Sequence, residues 1–161
     1  MAARGWSYAA FIFLIVLTHF VLRLAIALPW GTPDLITIAA LLAARRLSGA
    51  QAAGLGLVLG ILDDGLSINS FGAAAVALTV VSFLGARSRD LFEGDSLLFL
   101  VVYLFLGKWL RDALVYLLDR DPANVQFVSE IFLGMPVAAI TAAVAGMVAM
   151  VLYRAATGER S

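Results

Sequence analysis

The sequence predicts an all-α integral membrane protein, built as one bundle of six transmembrane helices with both termini in the cytoplasm. Its composition excludes an ordinary soluble domain, because 63% of the residues are hydrophobic and only 14% are charged, against about 45–50% and about 25% in soluble domains. A chain of 17.1 kDa with a mean hydropathy of +0.99 cannot bury so much apolar surface in a water-soluble core. The length and number of its apolar runs then favour a multi-pass bundle.

The chain is expected to form a single transmembrane domain over residues 1–161. The first apolar run is too long for a cleaved signal peptide, and no small-x-small cleavage site follows it. The second run would extend only about 18 Å as a helix, so it must tilt little, thin the bilayer locally or be sheltered inside the bundle. The six predicted spans cover about residues 6–28, 33–44, 50–66, 70–86, 96–118 and 128–153.

The basic residues predict the orientation, because cytoplasmic loops carry an excess of Lys and Arg. Of the eleven basic residues, seven lie on the same side as the N-terminus, three lie within spans and Arg120 alone lies in a loop on the opposite side. Six spans with both ends inside satisfy this asymmetry. The seven residues are Arg4, Arg45, Arg46, Arg87, Arg89, Arg154 and Arg160.

Charged residues also occur within the spans, where each costs at least ~2.5–3.5 kcal/mol at mid-helix. Their opposite signs at one depth predict pairing, and Asp112 lies on the same helical face as Lys108, four residues earlier. Two interpretations stay open: internal salt bridges that hold the helices together, or a binding or protein-contact site. All are predicted in the outer half of the bundle, and they are Arg23, Asp34, Asp63, Asp64, Lys108, Arg111, Asp112 and Glu130.

Small residues predict how the helices pack. In the third span Ala52, Gly56, Gly60 and Asp64 recur every four residues, a small-xxx-small ridge that lets another backbone approach closely. We therefore expect Asp64 to face a neighbouring helix and to pair with Arg23, since both lie within about 10 Å of the outer face.

The neighbouring Asp63 lies about 100° round the helix from Asp64 and is expected to face elsewhere. A second ridge, Ala138, Ala142 and Gly146, lies in the sixth span. Helix packing is the expected role of both ridges, with contact to a partner's transmembrane helix as the alternative.

Catalytic, metal-dependent and nucleic-acid functions have little support. The chain has no cysteine, a single histidine and no net charge, which removes thiol chemistry, a His-rich metal site and an electrostatic basis for binding nucleic acid. An intramembrane serine protease would need His19 to activate a serine, yet Ile68 stands where rhomboid proteases have glycine after Gly-x-Ser. Asp34 and Asp64 could form an aspartyl dyad, but the Gly-x-Gly-Asp motif of presenilin-type proteases is missing. We expect no catalytic residue, cofactor or metal, and predict that His19 is a hydrogen-bonded core residue.

The order of short motifs resembles the MreD family, the small membrane subunit of the bacterial rod-shape (elongasome) machinery. Pro33 and Asp34 match a Pro-Asp pair at the second span, Asp64 and Ser67 match an Asp-x-x-Ser sequence after a glycine-rich third span, and Gly72 matches a Leu-Gly glycine. These motifs lie in residues 33–87, and the length and span count extend the resemblance over the whole chain.

Departures from the family pattern are Phe71 in place of leucine, Asn69 in place of a small residue, and Asp63 beside Asp64, which leaves open which aspartate has the family role.

The resemblance implies a non-enzymatic scaffold or regulatory subunit of lateral wall synthesis, multi-pass in the bacterial cytoplasmic membrane. Its implied partners are an MreC-like bitopic protein, the glycan polymerase RodA with its penicillin-binding transpeptidase, MreB filaments indirectly, and membrane lipids.

The resemblance also implies a fold similar to the S-components of energy-coupling-factor transporters, so the alternative function is a small-molecule-binding transporter subunit. Against that alternative, the first span lacks the Ala-x-x-x-Ala docking motif of S-components. The candidate structural or partner-binding residues are Arg23, Pro33, Asp34, Gly56, Gly60, Asp63, Asp64, Ser67, Gly72, Lys108, Arg111 and Asp112.

Overall fold

The structure, a computed structural model, describes residues 2–25, 34–66, 72–88, 96–118 and 130–158, and its regular secondary structure there is helical. No strand occurs in these ranges, so the all-α prediction is confirmed. A π-helical turn, Glu130–Gly134, leads directly into the last helix. The six helices are α1 (Ala2–Ala25), α2 (Leu35–Ala44), α3 (Gly49–Asp64), α4 (Ala73–Ser88), α5 (Leu97–Leu118) and α6 (Met135–Thr157).

The short helix α2 forms the centre of the bundle. It packs against every one of the other five helices, and all its residues after Leu35 are buried. Its ten residues extend only about 15 Å, about half the hydrocarbon thickness of a bilayer. Of the three ways in which a short second helix could be accommodated, the structure therefore shows shelter inside the bundle.

Both ends of α2 find polar partners within the protein. At its N-terminus the Asp34 side chain accepts a hydrogen bond from the backbone N–H of Thr37. At its C-terminus the hydroxyl of Tyr8 donates to the Leu42 carbonyl at 2.7 Å, and that of Tyr103 donates to the Leu41 carbonyl at 2.9 Å. The Leu41 carbonyl also accepts from the backbone N–H of Arg45 at 3.3 Å, so Tyr103 adds a second donor there. Asp34 and Tyr8 bind terminal backbone groups of the kind that would be costly to bury unpaired.

Helix α3 packs closely on α4 through the predicted ridge. Ala52, Gly56, Gly60 and Asp64 are all buried, as the small-xxx-small spacing predicts. A methyl group added at Gly56 would lie 2.6 Å from the Ser82 hydroxyl oxygen, and one at Gly60 would lie 2.7 Å from the Ala74 carbonyl oxygen. The backbones of α3 and α4 are therefore too close for any side chain at these two positions.

The second ridge packs α6 against α5 and α2. Ala142 and Gly146 are buried, whereas Ala138 at the start of the ridge is only half-buried. A methyl group at Gly146 would lie 3.1 Å from Ile38 of the central helix. Helix packing, the expected role of this ridge, is confirmed for its last two residues.

The surface of the bundle is apolar. Each of the five outer helices exposes large hydrophobic side chains, for example Leu24 of α1 at 74%, Leu98 of α5 at 69% and Leu152 of α6 at 64%. Two segments are long and apolar enough to cross a membrane, residues Gly5–Leu24 and Ile131–Thr157. Helix α5 has 22 residues but carries three charged groups, and α2 and α4 are shorter apolar helices.

We expect alanine to destabilise the fold at the two buried glycines of α3, Gly56 and Gly60, but not at the exposed Gly54 of the same helix. Gly56→Ala and Gly60→Ala place a methyl group against α4 backbone, so each should destabilise the fold by about 1–3 kcal/mol. Gly54→Ala, on the same helix with no atom within 4 Å of its added methyl group, should be neutral or stabilise by about 0.5–1 kcal/mol. Thermal unfolding of the three variants in one detergent checks this, and equal stability of Gly60→Ala and Gly54→Ala would contradict the close contact.

Candidate functional site: a buried charge cluster

Charged side chains from four helices meet at one end of the bundle. The last turns of α1 and α3, the N-terminus of α2 and the second half of α5 all contribute. We call this group the charge cluster. Its members are Arg23, Asp34, Asp63, Lys108, Arg111 and Asp112.

Arg111 of α5 joins the three carboxylates. One terminal nitrogen lies 2.8 Å from Oδ2 of Asp63, and the other lies 3.3 Å from Oδ2 of Asp34 and 3.3 Å from Oδ1 of Asp112. The planar guanidinium can address several carboxylates at once, which an ammonium group does less well. Arg111 therefore ties α5 to both α2 and α3.

Lys108 lies one turn before Asp112 and pairs with it, so the same-face prediction is confirmed. Its ammonium nitrogen also lies 3.1 Å from Oδ2 of Asp34. That same oxygen accepts a hydrogen bond from the hydroxyl of Thr37 at 2.7 Å. Asp34 thus caps α2 and binds the two cations of α5 at once.

Asp63 is the most enclosed carboxylate of the cluster, with a side chain only 6% exposed. It pairs with Arg23 of α1 and with Arg111 of α5. The predicted partnership of Arg23 with Asp64 is therefore wrong, because the aspartate that faces α1 and α5 is Asp63.

Asp64 instead binds the start of α4. Its two carboxylate oxygens accept hydrogen bonds from the backbone N–H groups of Ala74 at 3.1 Å and Ala75 at 2.8 Å. The first N–H groups of a helix have no partner within it, and a buried carboxylate binds them strongly. The prediction that Asp64 faces a neighbouring helix is confirmed, but its partner is backbone rather than an arginine.

His19 lies against the cluster, one turn before Arg23. It is buried, and its Nε2 lies 3.7 Å from Oδ1 of Asp63. Neither ring nitrogen has a hydrogen-bond partner among the described residues. The prediction of a core residue is confirmed, whereas the predicted hydrogen bond is not formed.

The remaining candidate residues have structural positions or are not described. Gly72 precedes α4 with φ of +100°, a conformation that favours glycine, and Gly56 and Gly60 form the contact with α4. Pro33 and Ser67 lie outside the described residues.

Sequence reasoning missed the roles of Tyr8 and Tyr103. A tyrosine within an apolar run needs a partner for its hydroxyl when it is buried, and that signal was present in the sequence. Arg46 contacts one of these tyrosines: its guanidinium carbon lies 3.5 Å from the centre of the Tyr8 ring.

The contacts within the charge cluster favour a structural role. Among the residues that the structure describes, its three cations and three carboxylates balance, and each makes an ion pair with a group on the same or another helix. The aspartyl-dyad geometry is not formed, because Asp64 is bound to α4 backbone while Asp34 is bound to Thr37 and the α5 cations. The cluster is thus an electrostatic link between four helices.

A double-mutant cycle can distinguish the two aspartates. We expect Arg23→Ala and Asp63→Asn to be coupled by about 0.5–3 kcal/mol, because each removes the partner of the other. Arg23→Ala combined with Asp64→Asn should be close to additive, since Asp64 makes its contacts with α4. Unfolding of all single and double variants in detergent gives both coupling energies. Coupling of Arg23 to Asp64 but not to Asp63 would contradict the described geometry.

Comparison with known proteins identifies no relative of this chain. No protein-family profile, curated protein sequence or solved structure matches it.

Proposed function

We propose that the protein is a non-enzymatic scaffold of the rod-shape complex, similar to MreD, in the bacterial cytoplasmic membrane. The observation that carries the proposal is that the motif aspartates Asp34 and Asp64, together with Asp63, each bind a neighbouring helix at one end of the bundle. Asp34, from the Pro-Asp motif, and Asp63 share the guanidinium of Arg111, while Asp64 binds the start of α4. Motifs distant in sequence thus serve one architectural purpose, which is what a scaffold requires.

The six helices of the fold are proposed to be six membrane spans. The five outer helices expose apolar side chains on their outward faces while the charged groups of four helices pair inside. This is the arrangement that hydrocarbon demands, since polar groups there must be satisfied internally. The enclosed α2 needs no full-length span of its own, because its neighbours separate it from lipid.

The pairing within the charge cluster favours a scaffold over the transporter alternative. A ligand site presents polar groups that a substrate can engage, whereas Asp34, Asp63 and Asp112 are engaged by Arg23, Lys108 and Arg111. These contacts fix the relative positions of four helices. A rigid bundle with an apolar exterior is suited to binding other membrane proteins through its helix surfaces.

The proposed partners follow from the resemblance: an MreC-like bitopic protein, then RodA and its transpeptidase, with MreB contacted indirectly. The described helices account for most of the chain, so these partners would be bound within the bilayer or at its edges.

Reporter fusions test the proposed topology. Fusions after residues 48, 90 and 158 should all report the cytoplasm, and a fusion within residues 119–129 should report the opposite side, because Lys and Arg are concentrated on the first side. A periplasmic report at residue 90 would overturn the six-span arrangement.

Depletion and co-purification test the function itself. In a rod-shaped host we expect depletion to produce round cells, and we expect the intact protein to co-purify in mild detergent with a single-span protein that has a periplasmic coiled coil. Gly54→Ala should restore the shape, whereas Gly60→Leu should not, because it clashes with α4.

Normal cell shape after depletion, together with stabilisation of the pure protein by a vitamin-sized ligand, would overturn the scaffold proposal and favour the transporter subunit.

A further inference from the structure

A groove runs between α4 and α5. Its volume is about 340 Å³, and its floor includes Leu41 of the central helix and Val81 of α4. Gly85 and Gly107 line its walls without side chains, and Leu84 and Leu106, each nearly half exposed, form its rims. Along α5 the groove reaches from Tyr103 to Leu110, a distance of about 10 Å at helical rise.

One end of this groove is cationic. Arg87 and Ser88, at the C-terminus of α4, line that end. Arg45 lies next to it, with its guanidinium carbon 6.0 Å from the ring centre of Tyr103, which also lines the groove. No described carboxylate lies within ion-pair distance of Arg45 or Arg87. The groove is thus an apolar channel with two arginines at a single end.

We propose that this groove binds an anionic phospholipid, with an acyl chain between α4 and α5 and the phosphate at Arg87 and Arg45. The two parts of such a lipid match the apolar channel and its cationic end. Both arginines lie on the side that the positive-inside rule assigns to the cytoplasm, and basic sites between helices on that side suit anionic headgroups. The site does not depend on the scaffold function, but it rests on the proposed membrane arrangement of the helices.

Selectivity should come from charge rather than from the acyl chain. An acyl chain gains little by leaving other lipid for an apolar groove, because both surroundings are hydrocarbon-like. Each arginine near the headgroup is expected to strengthen binding roughly fivefold. Phosphatidylglycerol should therefore bind at least roughly fivefold more tightly than phosphatidylcholine with the same acyl chains.

The test uses the full chain in one neutral detergent, titrated with dioleoyl phosphatidylglycerol or dioleoyl phosphatidylcholine. Native mass spectrometry measures the bound lipid, and the unfolding temperature provides an independent measurement. We expect Arg87→Gln to reduce phosphatidylglycerol binding roughly fivefold and to leave phosphatidylcholine unchanged. Arg154→Gln, which removes a basic residue near the end of α6 outside the groove lining, is the matched control and should have no effect.

A second pair of variants tests the groove itself. Leu106→Trp fills the groove from its rim and should reduce binding of the anionic lipid, whereas Leu98→Trp, on an exposed part of α5 outside the lining, should not. Equal binding of the two lipids, or an unchanged preference in Arg87→Gln, would overturn the proposal. It would also be overturned if the lipid-free protein forms a dimer that Leu106→Trp disperses, since the groove would then bind a second copy.

Discussion

The enclosure of a ten-residue helix at the centre of the bundle is the constraint on which the rest of the structure depends. Helix α2 touches all five other helices and is buried from Ile36 to Ala44, so its buried terminal groups need partners within the protein. The carboxylate of Asp34 caps its N-terminus, and the buried negative charge of that carboxylate is compensated by Lys108 and Arg111. Its C-terminal carbonyls take tyrosine hydroxyls. Both polar regions of the bundle are thus direct consequences of burying α2.

The compensation of buried charge continues from Asp34 through the other members of the charge cluster. Lys108 and Arg111 neutralise the cap, Arg111 also binds Asp63, and Asp63 binds Arg23 of α1. Removing one partner of such a buried pair leaves an uncompensated charge and costs about 3–5 kcal/mol. Between apolar helices in lipid, where hydrophobic association is weak, contacts of this kind and close glycine packing determine the arrangement. In the proposed membrane arrangement, the charge cluster and the α3–α4 contact fulfil these two roles.

Much of the fold could be predicted because it follows from local pattern. Apolar runs predicted six helices, although the last one begins at Met135 and not near residue 128. Four-residue spacing predicted the Ala52–Asp64 ridge, and i,i+4 spacing predicted the pair of Lys108 with Asp112. The pairing of Arg23 could not be predicted in this way. Asp63 and Asp64 lie at almost the same depth, and the choice between them depends on which side of α3 faces α1, a property of the tertiary packing.

The roles of Asp64, Tyr8 and Tyr103 could not be predicted from the sequence for the same reason. The unpaired N–H groups at the start of α4 and the carbonyls at the end of α2 become partners only once the helix termini are known in space. The sequence showed that buried polar groups needed partners, but it could not show that the partners were backbone atoms.

The order of the charged residues along the chain has a consequence for biogenesis. Membrane helices are delivered to the bilayer in sequence, and α5, with Lys108, Arg111 and Asp112, carries more charged residues than any other of the six helices. The carboxylates that compensate its cations from other helices, Asp34 and Asp63, belong to α2 and α3 and are synthesised earlier. In the proposed membrane arrangement, α5 is therefore the helix whose insertion depends on what has already been inserted. Its release from the translocation machinery becomes favourable only when the first half of the protein is assembled to receive it.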